Sequence, residues 1–413
     1  MPRGISFTPP WSQTAGAAGL GRVPSRPHSG GVETDRWARA AEPLRARLVR
    51  RITDAGLLRD PCWRSAFTQV PRHLFVPCFY RPIPGGGGYD RLAADDAGPQ
   101  RRSRWLAGVY EDVPLVTRVD GGDMVSSSSQ PSLMAGMLEA LDAREGHTVL
   151  EIGTGPGYNA ALLAHRLGAD AVTTVDLDAG ITGPAVGHLA ACGFASRTAG
   201  GAGVAVVTAD GAQGCRERAP FDRIVATCAM QSVPGAWLAQ CAPRAVVLAP
   251  LAGGVIALRV TGAGRAEGRF LHTPAYFVPL RGPGAPQPPE PQAGVAGVRV
   301  RRSRTPAQVL DDDVFRFVLA LAAGDLDVGR AFGGRGVSVG APDGSTARVD
   351  RDGTVEWAGE RDLWLRVEEI HGQWRQAGHP DRERFGLSVD GARQWAWLDA
   401  PDGPLRWERP GPA

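Results

Sequence analysis

The sequence predicts an α/β fold: a doubly wound sheet of seven strands, with a helical cap before it and a small α+β domain after it. Three observations lead there. From Ser132 onward, short apolar runs alternate regularly with helical patterns, the mark of parallel strands joined by crossover helices. A glycine-rich loop joins the first of those runs directly to a helix. A stretch of proline and glycine, residues 282–294, then separates the alternating region from a tail of different composition.

Taken in order, residues 1–34 are rich in Pro, Gly, Ser and Arg without apolar period and read as a disordered leader. Leu44, Leu48, Ile52 and Leu57 recur at helical intervals and begin the cap, which continues to Val70–Pro77. Residues 81–108, with four consecutive glycines and Arg101, Arg102 and Arg104, read as a mobile surface insertion. The expected strands are 148–152, 171–176, 204–210, 221–227 and 245–250, followed by 255–260 and 275–280, which no helix separates and which should pair antiparallel. The main domain is thus 35–281, the linker 282–294 and the C-terminal domain 295–413. That last domain should hold helices near 311–323 and 363–377 and closing strands at 386–390 and 394–399.

Composition narrows the function. The chain has 413 residues and a formal net charge of +3, and all 46 of its Lys+Arg cations are arginine. No lysine is present to form a Schiff base or a phosphate-binding loop. So balanced a charge gives no dense cationic face for nucleic acid. The six cysteines and eight histidines show no metal-ligand spacing. No apolar run reaches the ~18 residues of a bilayer span, and a soluble cytoplasmic protein without membrane partners is the expectation.

The first sheet strand runs into E-I-G-T-G-P-G-Y, Glu151–Tyr158. Glycines at such a turn let backbone approach a ligand beside a helix N-terminus. A dinucleotide fingerprint would need glycine at the sixth place, where Tyr158 stands, so a nicotinamide cofactor is disfavoured. Asp176 ends strand two, where a carboxylate can accept both hydroxyls of a ribose, and Asp178 is its rival. Asp210 and Gly211 end strand three, where they can receive an adenine amino group. Together these favour a nucleoside ligand at consecutive strand ends.

The loop resembles the first motif of class I S-adenosylmethionine methyltransferases, in which an acidic residue also stands two places before the first glycine, as Glu151 does. V-P-R-H-L-F-V-P (70–77), Y-E-D-V-P-L (110–115), S-S-Q-P (128–131), the loop segment 150–164, A-D-G (209–211) and A-P-F-D-R-I-V-A-T (219–227) resemble the protein-L-isoaspartate (D-aspartate) O-methyltransferases. That resemblance spans about Trp37–Leu280 and implies a Rossmann-like class I methyltransferase fold and S-adenosyl-L-methionine as cofactor. It implies Ser129 beside the substrate carboxyl, and Gln130, Pro131, Glu151, Gly153, Thr154, Gly155, Gly157, Tyr158, Asp176, Asp210, Gly211 and Thr227 as the cofactor-binding set. Short repair methyltransferases lack the 81–108 insertion and the second domain. The run Ser126–Ser129 and the tail 363–389 look like the branch associated with ribosomally made peptides, whose members work beside graspetide, lanthipeptide or lasso macrocyclases.

On that resemblance, the expected reaction is methylation of an aspartate carboxylate in a macrocyclised precursor peptide, the ester then closing to an aspartimide. Two alternatives stand beside it: general isoaspartyl repair, and a nonenzymatic scaffold that keeps the cofactor fold. Six of the eleven tryptophans, Trp357, Trp364, Trp374, Trp395, Trp397 and Trp407, fall in the C-terminal domain, as a small core or as a peptide-gripping surface. Arg301, Arg302 and Arg304 can pair with an acidic peptide or solvate the end of the linker.

Overall fold

In the computed structural model the cap forms as its periodicity predicts. Helix α1 (Ala38–Asp54) buries Ala41, Leu48, Val49 and Ile52. Helix α2 (Pro61–Gln69) starts with proline in its first turn and an Asp60 side chain accepting from Cys62 N–H, and α3 (Arg72–Phe75) follows. The structure describes residues 35–83, 88–197, 201–282, 297–330 and 336–409. The expected leader 1–34 and nearly all of the expected linker lie outside the described residues. By packing, the chain divides into two units, the first made of 35–228, Gln240–Leu248 and Phe277–Gly282 and the second of Ala229–Ala239, Ala249–Tyr276 and the described residues from 297 onward.

The described residues of the expected insertion have regular structure. Strands β1 (Cys78–Pro82) and β2 (Tyr89–Ala93) form an antiparallel hairpin, and α4 (Pro99–Val109) packs beside them. Leu92, Ala93, Trp105, Leu106 and Val109 are buried, and the Trp105 indole donates to Val76 O at 2.9 Å. Of the arginines that suggested a solvated loop, Arg101 pairs with Asp90 and Arg102 donates to Asp96 O and Ala97 O, so both are held within the insertion, and Arg104 is exposed. Strands β3 (Leu115–Asp120) and β4 (Asp123–Ser128) complete a four-stranded antiparallel sheet in the order β2-β1-β3-β4. Helix α5 (Pro131–Leu141) then leads to the main sheet.

That sheet begins as alternating strand and helix, β5 (Val149–Ile152), α6 (Tyr158–Leu167), β6 (Val172–Asp176) and α7 (Ala179–Ala191), and continues with the two-residue β7 (Ser196–Arg197), β8 (Val204–Thr208), β9 (Phe221–Ala226) and β10 (Cys241–Leu251). Within the first unit the order is β10-β9-β5-β6-β8-β7, and every neighbouring pair is parallel. All four residues of β5 are buried, as a central parallel strand requires. The order reverses between β5 and β9, the place where such folds open a crevice at the strand C-termini.

The last two expected strands are corrected. Residues 254–262 do form a strand, β11, but it belongs to the second unit, and it pairs antiparallel with β12 (Arg265–Phe270). Residues 275–280 form no strand: pairing there is limited to a single bridge at Pro279, which has no N–H with which to extend a ladder. The boundary expected at 282 accordingly moves, because Ala249–Tyr276 packs with the C-terminal residues.

The second unit includes the short helix α8 (Gly235–Leu238) and continues β11-β12 through β18 (Phe385–Asp390), β19 (Arg393–Leu398) and β20 (Arg406–Arg409), all antiparallel. A separate antiparallel sheet has the order β13 (Arg299–Arg302), β17 (Thr354–Ala358), β16 (Thr346–Asp350), β15 (Gly336–Gly340), β14 (Asp327–Arg330). Helices α9 (Asp313–Ala322) and α10 (Leu363–Gln376) bury Phe315, Phe317, Trp364 and Trp374. Trp397 and Trp407 are buried too, so four of the six C-terminal tryptophans are core. Arg301 pairs with Asp362 and Glu368, and Arg302 with Asp352, so both already have partners within the unit. Among the described residues no helix is long and apolar enough to cross a membrane.

Candidate active site

Strand β5 ends at the crevice, and the glycine loop turns there into α6. Gly153, Gly155 and Gly157 have φ of 97°, 50° and 90°, the left-handed region that side chains resist. A Cβ on Gly153 would stand 2.7 Å from Thr227 Oγ1, and one on Gly155 3.1 Å from Ser127 O. The loop is pinned from three sides. Gly153 N–H donates to Val175 O at 2.8 Å, Thr227 Oγ1 donates to Gly153 O at 2.8 Å, and Gly155 N–H donates to Asp176 Oδ2 at 3.1 Å.

These groups form one wall of a cleft in the first unit. Gly153, Gly155, Asp176, Gly211 and Thr227 of the predicted set line it. The two carboxylates of strand two lie in different surroundings. Asp176 faces the cleft, and burial raises its pKa while backbone N–H groups and the nearby Arg281 partly offset the rise. Asp178 is occupied elsewhere, capping α7 through Gly180 N–H and pairing with Arg118 at 2.7 Å. Asp210 accepts from Ala212 N–H at 2.9 Å in its own turn, leaving Gly211 as the cleft residue of that step.

The remaining predicted residues support the wall from behind. Ile152 lines the cleft, and its neighbour Glu151, turned to the other face of the strand, is fully buried. Its carboxyl accepts from Asn159 Nδ2 at 2.7 Å and Thr174 Oγ1 at 2.6 Å, and Thr174 Oγ1 is 2.8 Å from Thr154 Oγ1. Burial pushes Glu151 up to about 7, against the pull of those two donors. Tyr158 packs its ring edge against Phe67 and lies near Phe75, while Gly157 makes the turn into α6. Gln130 donates to Ser132 Oγ at 2.9 Å, and Pro131 is buried in the first turn of α5. None of these residues lies on the cleft wall.

Ser129 is half-buried and sits one residue past β4, also off the lining itself. Its carbonyl accepts from Arg72 Nη2 at 3.0 Å. Arg72 is completely buried, and its guanidinium also reaches Ser128 O, Ser128 Oγ, Val109 O, Glu111 O and Val113 O. Burial lowers its pKa to about 10, which leaves it charged at neutral pH. One side chain thus fixes the path of the serine run. Sequence reasoning missed Ser126, Ser127, Cys228 and the segment Val278–Arg281 as lining. The serine run and the repeated apolar residues before Arg281 were the available signals, and neither says which residue faces a ligand.

The model of the family described as protein-L-isoaspartate(D-aspartate) O-methyltransferase matches residues 101–279. A protein-L-isoaspartate O-methyltransferase of Hyperthermus butylicus is 32% identical over 260 residues, 60% of this chain and 91% of the relative. One from Methylorubrum extorquens is 35% identical over 249 residues, 59% of this chain and 91% of the relative. An Azorhizobium caulinodans protein of the same name is 36% identical over 219 residues, 53% of this chain and 80% of its own length. A parallel sheet with a glycine-loop cleft at its reversal point and relatives matched over four-fifths or more of their length lead to one conclusion: the chain belongs to the protein-L-isoaspartate O-methyltransferase family of carboxyl methyltransferases.

Proposed function

We propose that the protein transfers a methyl group from S-adenosylmethionine to the free carboxylate of an L-isoaspartyl residue in a protein or peptide. The observation that carries this reading is the cleft itself, where three left-handed glycines clear a path beside a helix N-terminus and Asp176 faces the space they leave. The residues fit the cofactor: Asp176 presents a carboxylate for a ribose diol, and Gly211, where a Cβ would come within 2.7 Å of Ile152 Cγ2, leaves room for a flat base. When bound, S-adenosylmethionine supplies an electrophilic methyl group on a sulfonium.

An isolated carboxyl group has a pKa near 4, so the acceptor is ionised at pH 7 and no general base is needed. The chain's task is to position and desolvate. The glycine loop and β4 bound one space, and Ser129, with its backbone held by Arg72, is the side chain we assign to orient the acceptor. A hydroxyl bonding to the non-reacting oxygen aligns the other oxygen without neutralising it, whereas a cation there would stabilise the ground state. Methylation turns a poor leaving group into methoxide. The following amide nitrogen can then attack the ester carbonyl, expelling methanol and closing a succinimide.

A second reading, a normal aspartate in a macrocyclised precursor peptide beside its macrocyclase, rests on the four-serine run, the 363–389 tail and a second unit that lies largely beyond the matched 101–279. The relatives favour the first reading. The test is mass spectrometry of matched peptides, linear and cyclised, carrying isoaspartate or aspartate at one site. Methylation of linear isoaspartyl peptides supports the proposal. Reaction confined to aspartate in the cyclised peptide would move the assignment to the second reading.

A further inference from the structure

The cleft wall contains two charged side chains, Asp176 and Arg281, and the proposed reaction uses only the first. Arg281 belongs to the short segment Phe277–Gly282, which returns to the first unit and lines the cleft with Val278, Pro279 and Leu280. Its Nη2 donates to Val125 O at 3.0 Å, on the strand that also brings Ser126 and Ser127 to the cleft. Its other N–H groups have no hydrogen-bond partner among the described residues. It forms no ion pair with Asp176, although its charge acts on that carboxyl.

A half-buried guanidinium anchored by one N–H to a backbone carbonyl is held in place, while the rest of its planar fork stays open. That fork matches a carboxylate, with two parallel N–H bonds available to two oxygens. The acceptor carboxylate is a poor candidate, because a tightly held cation would lower its nucleophilicity. A second carboxylate, one that does not react, fits. Two ligands of the proposed reaction can bring one: the cofactor through its amino-acid end, and the peptide through an acidic side chain next to the acceptor.

We propose that Arg281 is a carboxylate-recognising residue of the cleft, holding a non-reacting carboxylate carried in by the cofactor or by the peptide substrate. This rests on the methyltransferase reading above. Arg281 is a specificity residue: it selects charged ligands over neutral ones of the same shape.

The experiment uses the full chain, wild type and Arg281→Gln, with Arg281→Lys as the charge-conserving variant. Calorimetry gives the affinities of S-adenosylhomocysteine and of 5′-methylthioadenosine, which keeps the nucleoside and lacks the amino-acid carboxylate. Kinetics give KM for two isoaspartyl peptides that differ only by glutamate or glutamine beside the acceptor. The proposal expects Arg281→Gln to weaken one charged ligand by about 10- to 100-fold, the range of a charge-assisted hydrogen bond. Its neutral counterpart should change less than about twofold, and Arg281→Lys should recover part of the loss. Loss confined to S-adenosylhomocysteine assigns the carboxylate to the cofactor, and loss confined to the glutamate peptide assigns it to the substrate. Equal weakening of charged and neutral ligands, or no change in any of the four, would overturn the proposal and leave Arg281 as a brace on Val125. A wild-type protein that binds neither nucleoside would instead overturn the methyltransferase reading, and this inference with it.

Discussion

The groups beneath the glycine loop and the core of the second unit solve the same problem, fixing a backbone, by opposite means. Under the loop the fixed points are polar: Glu151 between Asn159 and Thr174, Thr154 on Thr174, and Arg72 on carbonyls of three segments. In the second unit they are rings. Phe270 meets Phe317 edge-on at 4.8 Å, Phe317 meets Phe385 at 5.6 Å, and Phe385 stacks on Trp407 at 6.3 Å. Directional bonds hold a loop to one geometry, which ligand binding needs. Ring packing supplies cohesion and tolerates small shifts.

The largest expected effect comes from removing the most heavily used polar group. Arg72→Met leaves buried carbonyls on three segments without a donor, and should destabilise the first unit by about 3–5 kcal/mol. Urea unfolding followed by hydrogen exchange, which resolves the two units, should show the second unit unchanged; equal loss in both would break the contrast. Phe317→Ala removes a ring in contact with Phe270 and Phe385 and should cost the second unit about 3–4 kcal/mol. Affinity for S-adenosylhomocysteine should stay within about twofold, and a tenfold loss would show that ring packing also sets the loop.

A smaller change sharpens the role of the serine run. Ser129→Ala should lower kcat by about tenfold, one hydrogen bond's worth, with cofactor affinity intact. Ser127→Ala, on the cleft wall itself, is the comparison, and an effect only at Ser127 would transfer the orienting role to it. The last effect is read as a slope in stability and not as a rate. Glu151 has a folded pKa of about 7 against 4.5 for a free carboxyl, so the folded state binds the extra proton. Stability on its account is fully present below pH 4.5 and falls as pH rises to about 7. Glu151→Gln should flatten that part of a melting-temperature profile between pH 4.5 and 7.5, and an unchanged slope would place its origin elsewhere.

Much of the site was readable because its constraints are local. Glycines with positive φ and an acid at a strand end are dictated by neighbours in sequence, and Gly153, Gly155 and Asp176 stand where the pattern predicts. Glu151 lies off the cleft, since adjacency to the loop does not say which side of a strand a residue takes, and Ile152 holds the cleft side. Arg281 was not legible at all. It reaches the cleft through a return of the chain that nothing near it in sequence announces. Residues 265–270, R-A-E-G-R-F, do not read as a strand because Ala266 and Phe270, the two that are buried, are the only apolar residues of the six. The apolar run 275–280 drew the assignment despite Pro279.

The route of the chain has a further consequence, for synthesis. The first unit is left at Leu248 and regained at Phe277, so its last wall emerges from the ribosome only after Ala249–Tyr276. That intervening stretch cannot complete its own sheet until β18, since Arg265–Arg269 pair with Gly386–Asp390 more than a hundred residues later. Contacts so distant in sequence form slowly. A nascent chain whose Gly282 has just cleared the ribosomal tunnel would therefore hold a complete cleft wall and, beside it in sequence, a hairpin whose Phe270 still waits for Phe317. Ligand added at that stage would meet a finished binding wall on an unfinished protein.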